Sequence, residues 1–338
     1  MPLQLIHPKR WTPPRAPERA RRTTSVQPLP PLRRLELPAA GPEDVVVDAQ
    51  GRVLAGLGDG RIVRVDPSSG ATETVANTGG RPLGLEPCPD GTLLVCDSRR
   101  GLLRVDPTSG GVDVLVGDVD DGPLNFASNV VFDDTDGSIY FSASTRRFDL
   151  EHHMGDILEH SGTGRLFRRD ADGTVETLLD GLDFANGVVL APDRSFVLVA
   201  QTARYCVTRY WLSGPAAGTS DTLIDNLPGF PDNMALGSDG LVWISLPTQR
   251  NPLLDRLLPL PGVLRQLVWL LPEKVQPKPA KVAWVLGVSL DGEVVHDLQG
   301  ADVGYAFVTS VWERSGTLYL GSLTEKAIGV VELAKQRS

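Results

Sequence analysis

Two adjacent oxygen-bearing side chains, Asp232 and Asn233, follow a proline in the stretch GFPDNM (229–234). The proline restricts the backbone beside it, so the local fold fixes the directions of both side chains. A carboxylate beside a carboxamide suits a hard cation such as calcium, which takes oxygen ligands. Asp and Asn are also common in turns, so the dipeptide alone favours an ordinary turn.

The stretch that begins at Asn233 is one of six copies of a strand–turn–strand pattern. The copies are EDVVVDAQGRVLAG (43–56), GLEPCPDGTLLVCD (84–97), NVVFDDTDGSIYFSAS (129–144), NGVVLAPDRSFVLVAQ (186–201), NMALGSDGLVWIS (233–245) and FVTSVWERSGTLYLGS (307–322). Second hairpins lie between them, at 61–75, 102–116, 165–179, 209–224 and 284–298. A repeat of about 40–50 residues is typical of propeller blades. Two hairpins per repeat give four strands per blade, so the sequence predicts an all-β fold, a six-bladed β-propeller with four-stranded antiparallel blades.

The two ends of the chain are predicted to close this ring. The segments LRRLELP (32–38) and AIGVVEL (327–333) read as strands, and pairing them removes edges that would otherwise stay exposed. Residues 32–338 are therefore predicted to form one propeller. Residues 1–31 are a basic, Pro-rich extension, predicted to be extended or poorly ordered.

Two insertions interrupt the repeat. The first, 145–164, contains His152 and His153, which we expect to face solvent rather than bind metal. The second, 251–282, follows the fifth blade's inner hairpin and carries leucines at helical spacing, with prolines that divide it into two short helices. It is too interrupted to span a bilayer. Three interpretations stay open: a helical hairpin packed on the propeller, a hydrophobic lid over the channel that favours an apolar substrate, and a membrane-leaning or dimerising surface.

Composition limits the function classes. The net charge is −9, which argues against nucleic acid as a partner and mildly favours cations. Cys88, Cys96 and Cys206 match no zinc spacing and are predicted to be free, buried thiols in a reducing compartment. No apolar signal-peptide run lies near Met1, which predicts a cytoplasmic protein. The basic N-terminal stretch leaves weak membrane association open, and the oligomeric state is not predicted.

The innermost strands of a propeller line a central tunnel, and residues that enter those strands point to the axis from one rim. The residues at this position are Glu43, Gly84, Ser128 with Asn129, Asn186, Asp232 with Asn233, and Val308 with Thr309. Acidic or amide side chains that occupy the same position in several repeats predict an oxygen cage for calcium or another hard divalent cation. The predicted metal ligands are Glu43, Asn129, Asn186, Asp232 and Asn233. The alternative is that these groups cap the strand ends and hold channel water.

A calcium ion at this position has a plain chemical use. It polarises the carbonyl of an ester or lactone and stabilises the oxyanion that forms when water attacks. A carboxylate not fully used by the metal acts as general base, with Asp232 the first candidate and Glu43 the second. The absence of a Gly-x-Ser-x-Gly motif removes support for a serine hydrolase. The prediction from these residues is a hydrolase of lactones or carboxylic esters with a small, apolar substrate; the alternative is a non-catalytic propeller that binds ligands or proteins.

Several motifs resemble those of the strictosidine synthase-like family: GRPLGLEPCPDGTLLVCDSRRGLLRVDP (80–107), FANGVVLAPDRSFVLVA (184–200) and LPGFPDN (227–233). The chain looks most like the branch of adipocyte plasma membrane-associated proteins, which carries an apolar insertion after the fifth blade's inner hairpin. The wider superfamily includes gluconolactonases and paraoxonases. The resemblance runs from about residue 40 to 333 and implies a six-bladed propeller, a divalent metal in the tunnel and hydrolysis of lactones or aryl esters.

The resemblance also assigns roles to residues. Metal-binding positions of the family fall on Glu43, Asn186, Asp232 and Asn233. In the third blade, relatives carry Asn-Asp or Asn-Asn where this chain has Ser128-Asn129, so the ligand from that blade is left open between the two. The catalytic glutamate of strictosidine synthases falls on Thr309, which makes an amine–aldehyde condensing lyase the least favoured alternative.

Overall fold

The six sequence repeats form six sheets arranged as the blades of a propeller. The computed structural model describes residues 4–21, 27–120, 122–271 and 279–334. Most hairpins turn where an Asp side chain accepts a hydrogen bond from a backbone N–H two residues later; Asp90 Oδ1, for example, accepts from Thr92 N at 2.9 Å. The predicted all-β, six-bladed architecture is confirmed.

The strands follow the chain in order around the axis. Strands β1 (Gln27–Pro28) and β2 (Leu32–Glu36) come before the first blade. Blade one contains β3 (Val45–Val47), β4 (Val53–Gly56), β5 (Arg61–Val65) and β6 (Thr72–Asn77). Blade two contains β7 (Pro82–Pro87), β8 (Leu93–Asp97), β9 (Gly101–Val105) and β10 (Val112–Val116), and is followed by a small hairpin of β11 (Asp118–Val119) and β12 (Gly122–Pro123).

The remaining blades repeat this order. Blade three contains β13 (Ala127–Phe132), β14 (Ile139–Ala143), β15 (Gly164–Arg169) and β16 (Val175–Leu182). Blade four contains β17 (Ala185–Leu190), β18 (Phe196–Gln201), β19 (Cys206–Trp211) and β20 (Ser220–Ile224). Blade five contains β21 (Met234–Leu236), β22 (Val242–Ser245), β23 (Ala283–Val288) and β24 (Val294–Gly300). Blade six contains β25 (Val308–Arg314), β26 (Thr317–Ser322) and β27 (Ala327–Glu332), with β2 as its fourth strand.

The predicted closure of the ring is confirmed. Strand β2 pairs antiparallel with β27, in a register that runs from Leu32 opposite Val331 to Glu36 opposite Ala327. This pairing covers the outer edge of blade six. The sequence did not predict β1, which adds to the edge of blade five in parallel with β24.

The hydrophobic core is divided among the gaps between blades. One buried cluster joins blades four and five and includes Leu198, Val207, Ile244 and the fully buried Trp284. Strands that face a neighbouring blade on both sides, such as β8 and β18, are buried along their whole length. The three cysteines are unpaired and buried, as predicted.

The helices lie outside the sheets, in the two insertions. They are α1 (His153–Glu159), α2 (Pro252–Leu257) and α3 (Val263–Trp269), with 3-10 turns at Glu18–Arg21, Leu150–His152 and Thr202–Arg204. The two short helices predicted in the second insertion are confirmed; we call residues 251–271 the lid, and the predicted segment 272–278 lies outside the described residues. In the described part of the chain, no helix has the length and apolar character needed to cross a membrane.

Residues 4–21 run across the lid, and we call them the strap. Ile6 is buried, and the ring of Trp11 stacks on His160 with centroids 4.4 Å apart. Side chains of the lid and of the blades bind the strap through its main chain. The donors to strap carbonyls are Trp269 Nε1 to Gln4 O, Gln266 Nε2 to Ile6 O, Arg265 to Lys9 O, Arg250 to Pro14 O and Asn226 to Arg15 O.

Candidate functional site

The five predicted ligand residues come together at one end of the tunnel, and we call them the polar ring. Asn129 Nδ2 donates to Asn233 Oδ1 at 3.1 Å, and Asn233 Nδ2 donates to Glu43 Oε1 at 3.0 Å. Asn186 Nδ2 donates to Asp232 Oδ1. The side chains come from blades one, three, four and five, so residues up to 190 positions apart meet at the axis.

A β-bulge at the start of the inner strand aims the ring side chains of blades three and four. The register shifts between Pro82 and Leu85, between Ala127 and Val130, between Ala185 and Val188, and between Val308 and Ser310. A bulge turns a side chain out of the normal alternation and increases the local twist. The ring positions in blades three and four lie inside these bulges, which turn Asn129 and Asn186 to the axis. The inner strands of blades one and five pair with their neighbours without a register shift.

Three phenylalanines mark the same place in the backbone. Phe126, Phe184 and Phe307 each adopt a left-handed conformation, with φ of 53°, 61° and 54°. Bulky residues rarely adopt positive φ, and such strained positions persist only where surrounding contacts fix them. For Phe126, the fixing contacts are hydrogen bonds from its N–H to Ser98 O and from Ser144 N–H to its carbonyl, both 3.0 Å. In blades three and four the strained backbone therefore lies shortly before the polar-ring residues Asn129 and Asn186.

Two glycines allow the inner strands to approach closely. A Cβ on Gly84 would lie 2.4 Å from Asn129 Cα, and a Cβ on Gly187 would lie 2.5 Å from Met234 N and 2.6 Å from Asp232 O. Any larger residue forces the backbones apart. The ring geometry thus depends on both glycines.

Hydroxyl groups that the sequence analysis did not identify tie each blade to the next. Ser144 Oγ donates to Ala185 O at 2.9 Å, Thr202 Oγ1 to Pro231 O at 2.7 Å, and Ser245 Oγ to Thr309 O at 2.7 Å. Each hydroxyl lies at or just after the end of a blade's second strand and holds the backbone next to a ring position. The signal in the sequence is a recurring Ser or Thr at that place in the repeat.

The third blade presents its two polar residues in different ways. Asn129 Oδ1 accepts from Val188 N at 2.8 Å, so its amide nitrogen, not its oxygen, faces the ring. Ser128 Oγ donates to Asn186 Oδ1 at 3.1 Å and lies 3.0 Å from Ser144 Oγ. In this arrangement Ser128 offers an oxygen next to Asn186, while Asn129 orients Asn233.

The ring carboxyl groups are strongly perturbed. Burial raises the pKa of Glu43 well above its usual value, the charges of Asp232 and Asp44 raise it further, and Arg81 opposes this. Glu43 Oε2 is buried and has no hydrogen-bond partner among the described residues. Asp232 keeps some accessible surface, yet burial still raises its pKa to about 8. The polar ring therefore contains two carboxyl groups, and no cationic side chain among the described residues forms a hydrogen bond with either of them.

A third buried carboxyl group, Asp44, was missed by the sequence analysis. Its two oxygens accept from Val45 N and Leu85 N, both at 2.8 Å, so it joins blades one and two. Burial raises its pKa to about 7. Its signal in the sequence was the acidic pair that opens the first inner strand.

The donor set of the ring fits a hard cation. The described residues contain no group of three or more His, Cys, Asp and Glu side chains placed to hold a metal ion. Amide and hydroxyl oxygens must therefore complete a site built on Glu43 and Asp232. The partnerless Glu43 Oε2 and the proximity of two buried carboxyl groups are what a divalent cation would compensate.

An apolar layer lies over the ring. Leu83, Phe126 and Phe184, each within two residues of a ring-level position, form one buried cluster with Leu254 and Trp269 of the lid. The rings of Phe126 and Phe184 meet edge to face at 5.4 Å. The lid therefore packs on the end of the tunnel that carries the polar ring. This agrees with two interpretations of the insertion, a helical hairpin packed on the propeller and a hydrophobic lid over the channel.

Parts of this chain match two family models. A family model for strictosidine synthase matches residues 128–215, and one for the N-terminal part of strictosidine synthase-like proteins matches residues 27–65. The adipocyte plasma membrane-associated protein of Rattus norvegicus is 34% identical over 307 residues, which cover 83% of this chain and 80% of the rat protein. Protein strictosidine synthase-like 10 of Arabidopsis thaliana is 34% identical over 327 residues, which cover 87% and 86% of the two chains. The resemblance seen in the motifs is confirmed.

Solved structures share the fold at low identity. A gluconolactonase from Xanthomonas campestris superposes with a TM-score of 0.66 and 17% identity over 99% of each chain. A calcium-binding protein, regucalcin, from Agrobacterium tumefaciens superposes with a TM-score of 0.63 and 14% identity, covering 92% of this chain and 99% of that one.

Proposed function

Since this chain belongs to the strictosidine synthase-like family, we propose that it is a metal-dependent hydrolase of lactones or of aryl and carboxylic esters. The observation that carries the proposal is the polar ring, in which two buried carboxyl groups meet amide and hydroxyl oxygens and Glu43 Oε2 has no partner among the described residues. The names of the structural neighbours, a gluconolactonase and a calcium-binding protein, agree with this chemistry.

The ring residues that would hold the cation are Glu43, Asn186, Asp232 and Asn233, with calcium the best match to oxygen donors. Ser128 offers the third-blade oxygen. The predicted ligand role of Asn129 requires its amide to leave Val188 N; in the present arrangement it positions Asn233 instead. When bound, the cation supplies Lewis acidity to the substrate carbonyl.

Asp232 is the proposed proton acceptor for the attacking water, in the ionised form that a bound cation would favour. It has more accessible surface than Glu43, and Asn186 Nδ2 holds only one of its two oxygens. Glu43 lies deeper, with 7% exposure, and Asn233 Nδ2 fixes its Oε1, which suits a ligand better than a base. A base must reach the water whose proton it takes, so accessibility decides between them.

The apolar layer above the ring determines the substrate class. Leu83, Phe126 and Phe184 face the lid rather than open solvent. Apolar walls that exclude water strengthen electrostatic interactions inside the site and favour an acyl or aryl group over a charged one. We therefore expect medium-length lactones and aryl esters to be better substrates than sugar lactones.

One observation favours a second candidate, a propeller that binds ligands or proteins without catalysis. The ring amides already satisfy one another and Glu43 Oε1, so the ring is a coherent structural network by itself. A condensing lyase has less support, because Thr309 Oγ1 donates to Glu43 O at 2.6 Å and supplies no acid or base.

The test combines metal content, thermal melts and an ester panel. We expect about one divalent ion per chain, a melting temperature lowered by chelation, and turnover that falls about 10²–10⁴-fold in Asp232→Asn, the range typical for loss of a general base. Asp113→Asn, on the exposed face of β10, is the matched control and should leave all three unchanged. Metal-free protein with no chelator effect and no turnover would establish the binding module instead.

A further inference from the structure

The solvent-facing side of α3 is entirely apolar. Its exposed residues and the two that follow are Val263, Leu264, Leu267, Leu270 and Leu271. At 100° per residue these positions form one continuous stripe about 120° wide. The opposite side carries the buried Arg265 and Trp269 and the half-buried Gln266. The helix is therefore inverted, with its polar groups inside and its leucines outside.

The inverted orientation is fixed by contacts, so the apolar stripe cannot turn inward. Arg265 is fully buried and donates to Leu158 O at 2.8 Å and to Lys9 O at 2.7 Å. Gln266 Nε2 and Trp269 Nε1 donate to strap carbonyls at 3.1 Å and 2.8 Å. Rotation of α3 would break all of these bonds. The exposed leucines are thus a stable feature of the surface.

The apolar stripe extends onto neighbouring elements. Leu5 of the strap is 68% exposed, Met154 lies on α1 beside α3, and Leu253 and Leu260 continue along the lid. Nine of the twelve exposed large apolar side chains among the described residues belong to the strap, α1 and the lid. Single exposed leucines are ordinary on a protein surface, but a concentration of this kind marks an interaction site.

The exposed charges of the strap and lid are mostly positive on a chain whose net charge is −9, whereas Asp149 and Glu151 beside α1 are exposed and acidic. The exposed basic residues of the strap and lid are Lys9, Arg10, Arg15, Arg21 and Arg256. Glu18 is the one exposed acidic residue of the described strap and lid, while Asp255 is paired with Arg250 at 2.9 Å. Arg15, Arg21 and Arg256 also line a cavity of about 250 Å³ between strap and α2. This charge complements an anionic surface.

We propose that the strap and lid form a docking face for an anionic phospholipid bilayer. Short helices with apolar side chains on one face and basic residues at the edge lie in the plane of the interface rather than across it. Each basic residue near an anionic leaflet strengthens binding about fivefold. The leucines enter the acyl boundary while the arginines contact the lipid phosphates and carboxylates.

Vesicle flotation tests the proposal. The full chain is mixed with phosphatidylcholine vesicles, with and without phosphatidylserine. We expect wild-type protein to float with the phosphatidylserine vesicles, and high salt to weaken the binding. The combined variant Leu264→Gln, Leu267→Gln, Leu270→Gln removes exposed apolar groups and should lower the partition coefficient at least about tenfold. Val114→Gln with Val295→Gln removes exposed apolar groups elsewhere on the propeller and should not change it.

A second variant separates charge from apolar burial. Arg10→Gln, Arg15→Gln and Arg256→Gln together should weaken binding to phosphatidylserine vesicles about tenfold or more, with little effect on neutral vesicles. Wild-type protein that does not float with either vesicle overturns the proposal. So does a concentration-dependent dimer that the leucine variant abolishes without any vesicle binding, because the face would then bind a second copy of this chain.

Discussion

The polar ring and the lid above it are held together in different ways. In the ring, side chains from four blades bond to one another across the axis, as in the path from Asn129 through Asn233 to Glu43. In the lid, side chains bond mainly to backbone carbonyls of the strap and of α1, as Arg265 does at Lys9 and Leu158. The ring belongs to the repeat; the lid is assembled from insertions and the chain's beginning.

This difference predicts how each region fails. A defect at the ring displaces inner strands of neighbouring blades, so it propagates through the whole propeller. A defect in the lid breaks contacts to a layer that adds no strand to the blades. We therefore expect ring variants to unfold the molecule and lid variants to loosen only the cover.

The substitution Gly187→Ala should have the largest effect. The new Cβ meets backbone atoms of Asp232 and Met234 at 2.6 Å and 2.5 Å, so blades four and five must separate. Overpacking of this kind costs about 3 kcal/mol or more when backbone must move. Urea unfolding followed by tryptophan fluorescence should show the loss in one cooperative transition, and metal binding should fall with it.

Gly117→Ala is the matched control. Gly117 follows β10 at the edge of blade two, and a Cβ there makes only an ordinary contact with Val114 at 3.4 Å. Its stability should stay near that of wild type. If Gly187→Ala were equally neutral, the inner strands would be free to adjust, and the comparison between ring and lid would not hold.

The repeat explains why the sequence predicted the ring. Each ring residue occupies the same phase of a strand–turn–strand unit, so its position at the axis followed from the blade count alone. The bulges and the left-handed conformation of Phe126 and Phe184 were not predictable, because both depend on contacts between blades. For the same reason the orientation of the Asn129 amide, which is set by Val188 N of the next blade, could not be predicted from the sequence.

The lid was predictable only in outline. Leucine spacing and prolines indicated two short helices, and these exist, but periodicity does not say which face turns inward. A hydrophobic stripe normally faces the core, whereas α3 buries Arg265 because three backbone carbonyls, of Leu158, Glu159 and Lys9, converge on it. The strap's carbonyls likewise left no signal, since every residue type carries one.

The substitution Arg265→Met should loosen the lid without unfolding the blades. It keeps the length of the side chain but leaves carbonyls of Leu158 and Lys9 without their donor. Losing bonds from a charged donor, partly offset by relief of the buried charge, should lower lid stability by about 2–3 kcal/mol. Hydrogen exchange should accelerate in α1 and α3, while the urea midpoint of the propeller stays nearly unchanged.

Arg256→Met, on the exposed side of α2, is the control and should alter neither measurement. If the urea midpoint of the propeller fell together with the hydrogen-exchange protection of α1 and α3, the two regions would form one cooperative unit.

The smallest expected effect concerns acid. His160, 5% exposed and stacked on Trp11, has its pKa lowered to about 4 by burial and by the charges of Arg204, Arg265 and Lys9, with Asp183 acting in the opposite direction. In the unfolded chain the His160 imidazole is protonated near the ordinary histidine pKa of about 6.5. Between pH 6.5 and about pH 4 the unfolded state therefore binds more protons than the folded state. The stability that the neutral His160 imidazole contributes is complete above the unfolded-state pKa of about 6.5 and falls as the pH drops toward 4. At pH 5 the loss relative to pH 7 should be about 2 kcal/mol.

His160→Asn removes the titrating group and keeps a residue that tolerates the left-handed conformation at the end of α1. Urea unfolding at pH 7 and pH 5 should show that the change in unfolding free energy between the two pH values is less favourable in wild type than in His160→Asn by most of that amount. Trp11→Phe, which keeps the imidazole buried under an aromatic ring, should behave like wild type. An equal change in wild type and His160→Asn would show that His160 does not contribute to the acid sensitivity. The carboxyl groups of Glu43 and Asp232 act with the opposite sign. In the metal-free protein, their raised pKa values make the folded state bind more protons than the unfolded one, so they stabilise the molecule as the pH falls. Acid therefore acts in opposite directions on the two regions, loosening the lid while it strengthens the ring.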